Sequence, residues 1–212
     1  MKRSTFKIKI IDNFLQKRDL NELVKFFKKK KIHNNFKVYH NEINDYEIIS
    51  SSINKKILKQ IHKNYFLKAI KILKELSPQK VKLYDYSDFT IIITNKRSQF
   101  PIHDDTPNKL LSGVIYLYPK ENTGTLFYSD KKGSNEIEIK WKKNRAVFFA
   151  RKEKETWHAY KSNQNDYRIV LVYNLMTYRL NEVYKIENKN FLLGYLRFKI
   201  NPFIFKYFKI TV

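Results

Sequence analysis

Two histidines and one aspartate have the types and spacing in this sequence that suit metal chemistry. His103 and Asp105 stand two positions apart in Gln99-Phe100-Pro101-Ile102-His103-Asp104-Asp105. An extended chain therefore points both side chains to one face, while Asp104 points away. His158 adds a second imidazole if it lies on a neighbouring strand. Two imidazoles and one carboxylate on one face of an ion form the facial triad that holds non-haem Fe(II) and leaves the other coordination positions open.

The order His103-Asp104-Asp105, then His158, then Arg168 resembles the Fe(II)/2-oxoglutarate-dependent oxygenases, in particular their prolyl-hydroxylase-like branch. The similarity covers residues 89–175 and includes a strand with a tyrosine and a hairpin at Gly124-Thr125-Leu126-Phe127, where a threonine replaces a frequent second glycine. The resemblance implies Fe(II) as the metal, 2-oxoglutarate as co-substrate and O2 as oxidant. It implies no catalytic residue beyond the metal ligands.

Three further residues are candidates for binding 2-oxoglutarate. A guanidinium binds a carboxylate through two parallel hydrogen bonds and stays charged when buried, and the resemblance implies that Arg168 anchors the C5 carboxylate. Val114-Ile115-Tyr116-Leu117 resembles the family strand whose tyrosine hydroxyl binds the same carboxylate, which implicates Tyr116. Ser112 lies on the same side of that strand and is expected to line the cavity. Ordinary core packing is the alternative for Tyr116, and a surface position at a strand edge is the alternative for Arg168.

The predicted elements favour a mainly β fold with buttressing helices (α+β), a double-stranded β-helix of the jelly-roll or cupin-like type. Apolar residues at helical spacing predict a helix over residues 54–76, with His62 at its surface or at the boundary of its buried face. Asp19 with Glu22 resembles a capping box that starts an earlier helix. Alternation and turn residues predict strands in the second half. These strands are Val81 to Tyr84, Phe89 to Thr94, Leu111 to Tyr118, Thr125 to Tyr128, Glu136 to Trp141, Ala146 to Ala150 and Arg168 to Leu175.

Length and composition limit the class of protein. The 212 residues suit one domain, 1–212, in which we expect 1–80 to be mostly helical support, 81–178 the jelly-roll core and 179–212 a C-terminal cover. The absence of cysteine excludes disulfides and thiolate metal sites. No stretch has the length and hydrophobicity of a transmembrane helix or a signal-peptide core, which predicts a cytoplasmic protein.

The charge of the chain leaves two interpretations open. Lys and Arg number 43 against 20 Asp and Glu, a formal net charge of +23. Such an excess indicates an anionic partner if the lysines cluster on one face. Lysine is also abundant along the whole chain, as a compositional bias would produce.

Three functions are compatible with these patterns. The first is an Fe(II)- and 2-oxoglutarate-dependent dioxygenase that hydroxylates a peptidyl, sugar or other small-molecule substrate and releases succinate and CO2. The second is a nucleic-acid dealkylase or hydroxylase of the same superfamily, although Asn174 stands where that branch carries a second arginine six residues after the anchor. The third is a non-catalytic cupin-like module that binds a ligand. The sequence predicts neither the substrate nor the oligomeric state.

Overall fold

The computed structural model describes residues 6–28, 30, 35–96, 98–162 and 167–208. The strands of the described residues are β1 Ile8–Ile11, β2 Phe36–Tyr39, β3 Asn41–Asn44, β4 Glu47–Ser51, β5 Tyr86–Thr94, β6 Gln99–His103, β7 Lys109–Tyr118, β8 Thr125–Phe127, β9 Ile137–Ile139, β10 Ala146–Phe149, β11 His158–Lys161 and β12 Arg168–Met176. The helices are α1 Lys17–Lys28, α2 Lys55–Leu76, α3 Leu180–Ile186 and α4 Phe191–Phe208, with a short 3-10 helix at Pro78–Leu83.

The strands form two antiparallel sheets. The larger sheet has the order β1-β10-β7-β12-β5-β3-β4, with β2 also paired to β5. The smaller sheet has the order β6-β11-β8-β9. Apart from the hairpins β3-β4 and β8-β9, strands that pair are not consecutive in the sequence, as jelly-roll connections require. This architecture confirms the prediction of a double-stranded β-helix with supporting helices.

The larger sheet has one face toward the helices and one toward the smaller sheet. Side chains alternate along a strand, so on β12 Ile169, Leu171, Tyr173 and Leu175 enter the core shared with α1 and α2, while Val170 enters the core between the sheets. Arg168, Val172 and Asn174 share the face of Val170 and line a cavity there. The same alternation in β5 and β7 leaves one face of the sheet for packing and the other for a site.

Helix α2 confirms the long helix predicted from the apolar period, but two side chains differ from expectation. His62 is 2 % exposed and packs its ring against Phe66, with ring centroids 4.8 Å apart. The prediction of a surface or boundary position for His62 was therefore wrong, because Tyr46 and Phe89 from other elements cover α2 on that side. Asp19 lies inside α1 and does not cap it. Its buried carboxylate accepts hydrogen bonds from α2, at 2.6 Å from Gln60 Nε2 and 2.6 Å from Tyr65 Oη.

The strand predicted at Val81 to Tyr84 was wrong, because this segment belongs to the 3-10 helix Pro78–Leu83. Pro78 stands at the start of the turn, where its fixed φ and missing N–H favour a helical conformation. The 3-10 turn also brings Lys80 into the interior, where its ammonium pairs with Glu187 at 2.6 Å. Sequence patterning did not indicate β2, β3 and β4, which are short and carry polar residues.

The C-terminal part of the chain consists of α3 and α4. Gly194 of α4 packs so closely on α3 that an added Cβ would lie 2.2 Å from the ring of Tyr184. Several apolar side chains of α4 remain exposed, among them Leu192 at 75 % and Leu196 at 57 %. The role of 179–212 as a cover stays a prediction.

Across the described residues, α4 and the other helices all fall short of the length and apolar character needed to cross a membrane.

Candidate metal centre

The three predicted metal ligands lie together between the two sheets. His103 ends β6, His158 begins β11, and the two residues are direct partners in the pairing of these strands. Asp105 follows β6 by two residues and points to the same place. One ligand atom from each of the three residues can be chosen so that all lie within 4.8 Å of one another. The structure thus brings together the two histidines and the aspartate that the sequence selected.

Backbone carbonyls set the orientation of both imidazoles. His103 Nδ1 lies 2.9 Å from the Pro101 carbonyl oxygen, and His158 Nδ1 lies 2.9 Å from the Thr156 carbonyl oxygen. A carbonyl can only accept, so each Nδ1 carries a hydrogen, and in the neutral imidazole the lone pair of Nε2 is then the one available to a metal. Burial, together with the neighbouring His158, lowers the pKa of His103 to about 3. His103 is therefore a neutral ligand at physiological pH.

Asp105 is buried and ionised. Its Oδ1 lies 2.6 Å from Lys109 Nζ, and its Oδ2 accepts a hydrogen bond of 2.5 Å from Ser112 Oγ. Burial alone would raise the pKa of Asp105, but the ammonium of Lys109, through its charge and its hydrogen bond, outweighs burial and holds this pKa well below its usual range. Each carboxylate oxygen has two lone pairs, so either can still bind a cation.

Asp104, the middle residue of the motif, points away from the centre as predicted and joins two loops. Its carboxylate accepts hydrogen bonds from Thr156 Oγ1 at 2.8 Å and from the Lys154 amide at 2.7 Å. Thr156 is also the residue whose carbonyl orients His158. Asp104 therefore ties the loop that carries Asp105 to the loop that leads into His158.

A buried ion cluster of Lys80, Arg151 and Glu187 supports the same loops. Arg151 Nε donates to the Asp105 carbonyl oxygen at 3.1 Å, and Arg151 Nη1 pairs with Glu187 Oε2 at 2.7 Å. Glu187 also accepts from the Glu153 amide at 2.9 Å, and Lys80 pairs with its other oxygen. The cluster fixes the backbone of a candidate ligand without contacting the position of a metal.

A cavity of about 170 Å³ extends from the centre to the start of β12, where Arg168 lies. Its wall includes His103, Asp105 and His158 at one end and Arg168 at the other. Arg168 is 5 % exposed, and its guanidinium carbon lies 3.6 Å from the centre of the Tyr160 ring. Arg168 Nε has no hydrogen-bond partner among the described residues. Burial lowers the pKa of Arg168, but a guanidinium stays protonated in proteins.

The two remaining candidates differ in position. Ser112 lines the cavity and holds Asp105. Tyr116 is fully buried and stacks on Trp141, with ring centroids 4.4 Å apart. Its hydroxyl donates to Thr125 Oγ1 at 2.9 Å and accepts from the Thr125 amide at 2.8 Å. Thr125 itself reaches the cavity wall, and direct binding of a ligand by Tyr116 stays a prediction.

The candidate ligand atoms of the centre suit Fe(II), the ion that the resemblance implies. Two imidazole Nε2 atoms and one carboxylate converge, and this 2-His-1-carboxylate set is typical of non-haem Fe(II) with open positions. The cavity end at Arg168 suits a carboxylate, because the buried guanidinium stacks on Tyr160 and its Nε has no hydrogen-bond partner among the described residues. The residues present therefore match Fe(II) and a dicarboxylate co-substrate.

Sequence reasoning did not identify Lys109, Asn174 or Arg151 as parts of this region. Lys109 follows Asp105 by four residues, and this short separation could have indicated that the two side chains pair. Asn174 was considered only as a departure from the dealkylase pattern. It follows Arg168 by six residues, an even number, and therefore lies on the same face of β12 as Arg168, Val170 and Val172, which is the cavity face. Arg151 depends on a contact with Glu187, 36 residues further along the chain, for which a single sequence carries no signal.

Comparison with known proteins extends the description of the fold. No protein-family model and no curated protein matches this sequence. Among solved structures the chain is similar to a prolyl-4-hydroxylase from Pseudomonas putida, with 12 % identity, a TM-score of 0.56 and coverage of 82 % of this chain and 94 % of that chain. It is similar to a viral collagen prolyl hydroxylase from Paramecium Bursaria Chlorella virus-1, with 17 % identity, a TM-score of 0.56 and coverage of 81 % and 96 %.

A 2OG-Fe(II) oxygenase-family oxidoreductase from Burkholderia pseudomallei is also similar, with 11 % identity, a TM-score of 0.57 and coverage of 80 % and 84 %. Likeness at such low identity concerns the fold. The resemblance noted in the sequence is confirmed at that level: the chain has the double-stranded β-helix fold of prolyl hydroxylases and other 2-oxoglutarate oxygenases.

Proposed function

We propose that the protein is an Fe(II)- and 2-oxoglutarate-dependent oxygenase that hydroxylates a C–H bond of a peptidyl or small-molecule substrate. The observation that carries the proposal is the single cavity with the His103, Asp105 and His158 centre at one end and the buried Arg168 at the other. A metal-binding module alone has no need of a buried arginine facing the same space. Two of the similar structures are named for collagen and for a hypoxia-inducible-factor peptide, which supports keeping a peptide among the candidate substrates.

In this proposal each side chain has a defined task. His103, Asp105 and His158 would hold Fe(II), which would supply the oxidising chemistry. One oxygen atom of O2 would enter the substrate C–H bond and the other would enter succinate, formed with CO2 from 2-oxoglutarate. Arg168 binds the far carboxylate of 2-oxoglutarate and so fixes the orientation of the co-substrate. The apolar side chains between these ends, such as Val170 and Phe149, exclude water from the reacting atoms.

An anaerobic titration of Fe(II) and 2-oxoglutarate tests the proposal through the visible charge-transfer band of an iron-bound 2-oxo acid. We expect the wild-type protein to give the band and His158→Ala to lose it. Arg168→Gln should bind iron normally but require at least about tenfold more 2-oxoglutarate, because one charge-assisted interaction is worth more than 1.4 kcal/mol.

Arg18→Gln is the matched control, because Arg18 is an exposed arginine of α1 far from the cavity wall. Normal iron binding without any band in the wild type would contradict the proposal. That result would support a cupin-like metal or ligand binder instead.

A further inference from the structure

The metal end of the cavity carries polar groups that the proposed roles do not use. Beyond the apolar wall, Lys109, Ser112 and Asn174 line the end opposite Arg168, close to Asp105. Lys109 is the residue of this group that reaches solvent, with a side-chain exposure of 22 %. We call Lys109 and Asn174 the outer polar pair.

The outer polar pair lies far from Arg168 along the larger sheet. Asn174 and Arg168 are six residues apart on β12, which corresponds to roughly 20 Å between their Cα atoms. Lys109 pairs in register with Met176, still further along the strand. The four carbon–carbon bonds of 2-oxoglutarate span no more than about 6 Å. A co-substrate that joins Arg168 to the metal centre would therefore lie on the Arg168 side of the centre, and the outer polar pair, on the other side, is left for another molecule.

Asn174 presents an unsatisfied acceptor at this end. Its Nδ2 donates to Asp88 Oδ2 at 2.8 Å, which fixes the amide so that Oδ1 is the remaining group. Asn174 is 1 % exposed, and its Oδ1 has no hydrogen-bond partner among the described residues. Asp88 is held in turn by Thr90 Oγ1 at 2.5 Å. A buried amide oxygen without a donor is costly, so a ligand N–H or O–H is its expected partner.

Lys109 has donors left beyond its bond to Asp105. An ammonium has three donors, and Asp105 Oδ1 engages one of them. A divalent cation bound to Asp105 would compete with Lys109 for the charge of that carboxylate. An anionic ligand group would then be a favourable further partner of Lys109.

We propose that the outer polar pair is the substrate-binding end of the cavity, which takes a substrate with an anionic group on Lys109 and a neighbouring N–H or O–H on Asn174 Oδ1. The inference rests on the proposed function, because the substrate can be assigned to this end only if 2-oxoglutarate occupies the other. A carboxylate and a phosphate meet the same requirement. The anionic group anchors the substrate next to the metal centre and selects against neutral analogues.

Calorimetric titration of the anaerobic protein loaded with Fe(II) and 2-oxoglutarate tests this assignment, because the bound co-substrate blocks Arg168. The probes are two matched pairs: acetate with acetamide, and glucose 6-phosphate with glucose. We expect the charged member of at least one pair to bind tenfold or more tightly than the neutral one. The pair that responds identifies the carboxylate or the phosphate as the anionic group.

Three variants assign the effect to the site. Lys109→Met should lose at least tenfold in affinity for the charged probe, and Lys109→Arg should keep most of it. Lys63→Met, which removes an exposed lysine on the outer surface of α2, should bind as the wild type does. Equal binding of charged and neutral probes, or equal losses in Lys109→Met and Lys63→Met, would overturn the proposal.

One further result would also overturn it. If Lys109→Met weakens 2-oxoglutarate and leaves the probes unaffected, Lys109 belongs to the co-substrate site. Failure of the proposed function is separate, because the charge-transfer band would then be missing before any probe is added.

Discussion

Two buried polar clusters lie on either side of the Asp104 loop, and their charges are arranged in opposite ways. In the ion cluster, Lys80 and Arg151 face the carboxylates of Glu187 and Asp104, so that cations and anions are matched. In the candidate metal centre, two imidazole lone pairs and a carboxylate converge, and among the described residues Lys109 supplies the positive charge. A cluster with matched charges is complete without another ion, whereas converging acceptors suit a cation. The difference separates a charge-balanced cluster from a candidate cation site in one interior.

Removing a ligand from the metal centre should have the largest effect. We expect alanine at His103, Asp105 or His158 to weaken Fe(II) binding by more than about a hundredfold, because changes behind the ligands already cost 10–100-fold. Equilibrium dialysis with metal analysis measures the change. His40→Ala, a histidine outside the centre, is the control and should bind iron normally. If all three variants bound iron as tightly as the wild type, these residues would not form a metal site, and the comparison with the ion cluster would fail.

Breaking the ion cluster should instead affect stability. Glu187→Ala leaves Lys80 and Arg151 buried without their carboxylate, so we expect the free energy of unfolding to fall by about 3–5 kcal/mol. Urea denaturation followed by circular dichroism gives the value. Glu155→Ala, which removes a carboxylate paired with Lys152 nearer the surface, should cost no more than about 1 kcal/mol. Equal costs would show that the buried cluster has no special structural role.

Asp104 connects the two clusters and should show an intermediate effect. Asp104→Ala frees Thr156 and the Lys154 amide, and we expect Fe(II) affinity to fall by about 10–100-fold because His158 loses its support. Asp104→Asn keeps an acceptor for Thr156 and should recover part of the affinity. Asp130→Ala, in an exposed turn, serves as control. A loss of stability with unchanged iron affinity would assign Asp104 to the ion cluster alone.

Acid should reduce the contribution of the ion cluster by a smaller amount. Burial would raise the pKa of Glu187, but Arg151 and Lys80 outweigh it and lower this pKa below the ordinary value of 4.5. The unfolded chain then binds the proton more tightly, so the stabilisation by Glu187 is complete above pH 4.5 and declines as the pH falls through the folded-state pKa. The stability difference between wild type and Glu187→Gln should therefore shrink below pH 4.5 in acid denaturation series. A constant difference would contradict this sign.

The sequence predicted the parts of the site that are close in the chain or carry a distinctive chemical type. His103 and Asp105 stand two residues apart, and Arg168 opens a strongly apolar strand, so their positions followed from local patterns. Most strands from Phe89 onward were predicted for the same reason, but β6 and β11, which carry the two histidines, were not among the predicted strands.

The rest depended on contacts between distant residues. Lys80 and Glu187 meet across 107 positions, and Asp19 reaches α2 rather than its own helix end. A single sequence shows the polarity of such residues but not their partners. Val81 to Tyr84 was misassigned because a short apolar run fits both a strand and a 3-10 turn.

The two faces of β12 determine which changes this protein can tolerate. Arg168, Val170, Val172 and Asn174 face the cavity, and the residues between them fill the core beneath the helices. A substitution alters one of these contacts at a time. Deletion or insertion of a single residue within β12 would exchange the faces and carry the arginine into the apolar core. Length variation in this strand should therefore be far more damaging than variation in its composition.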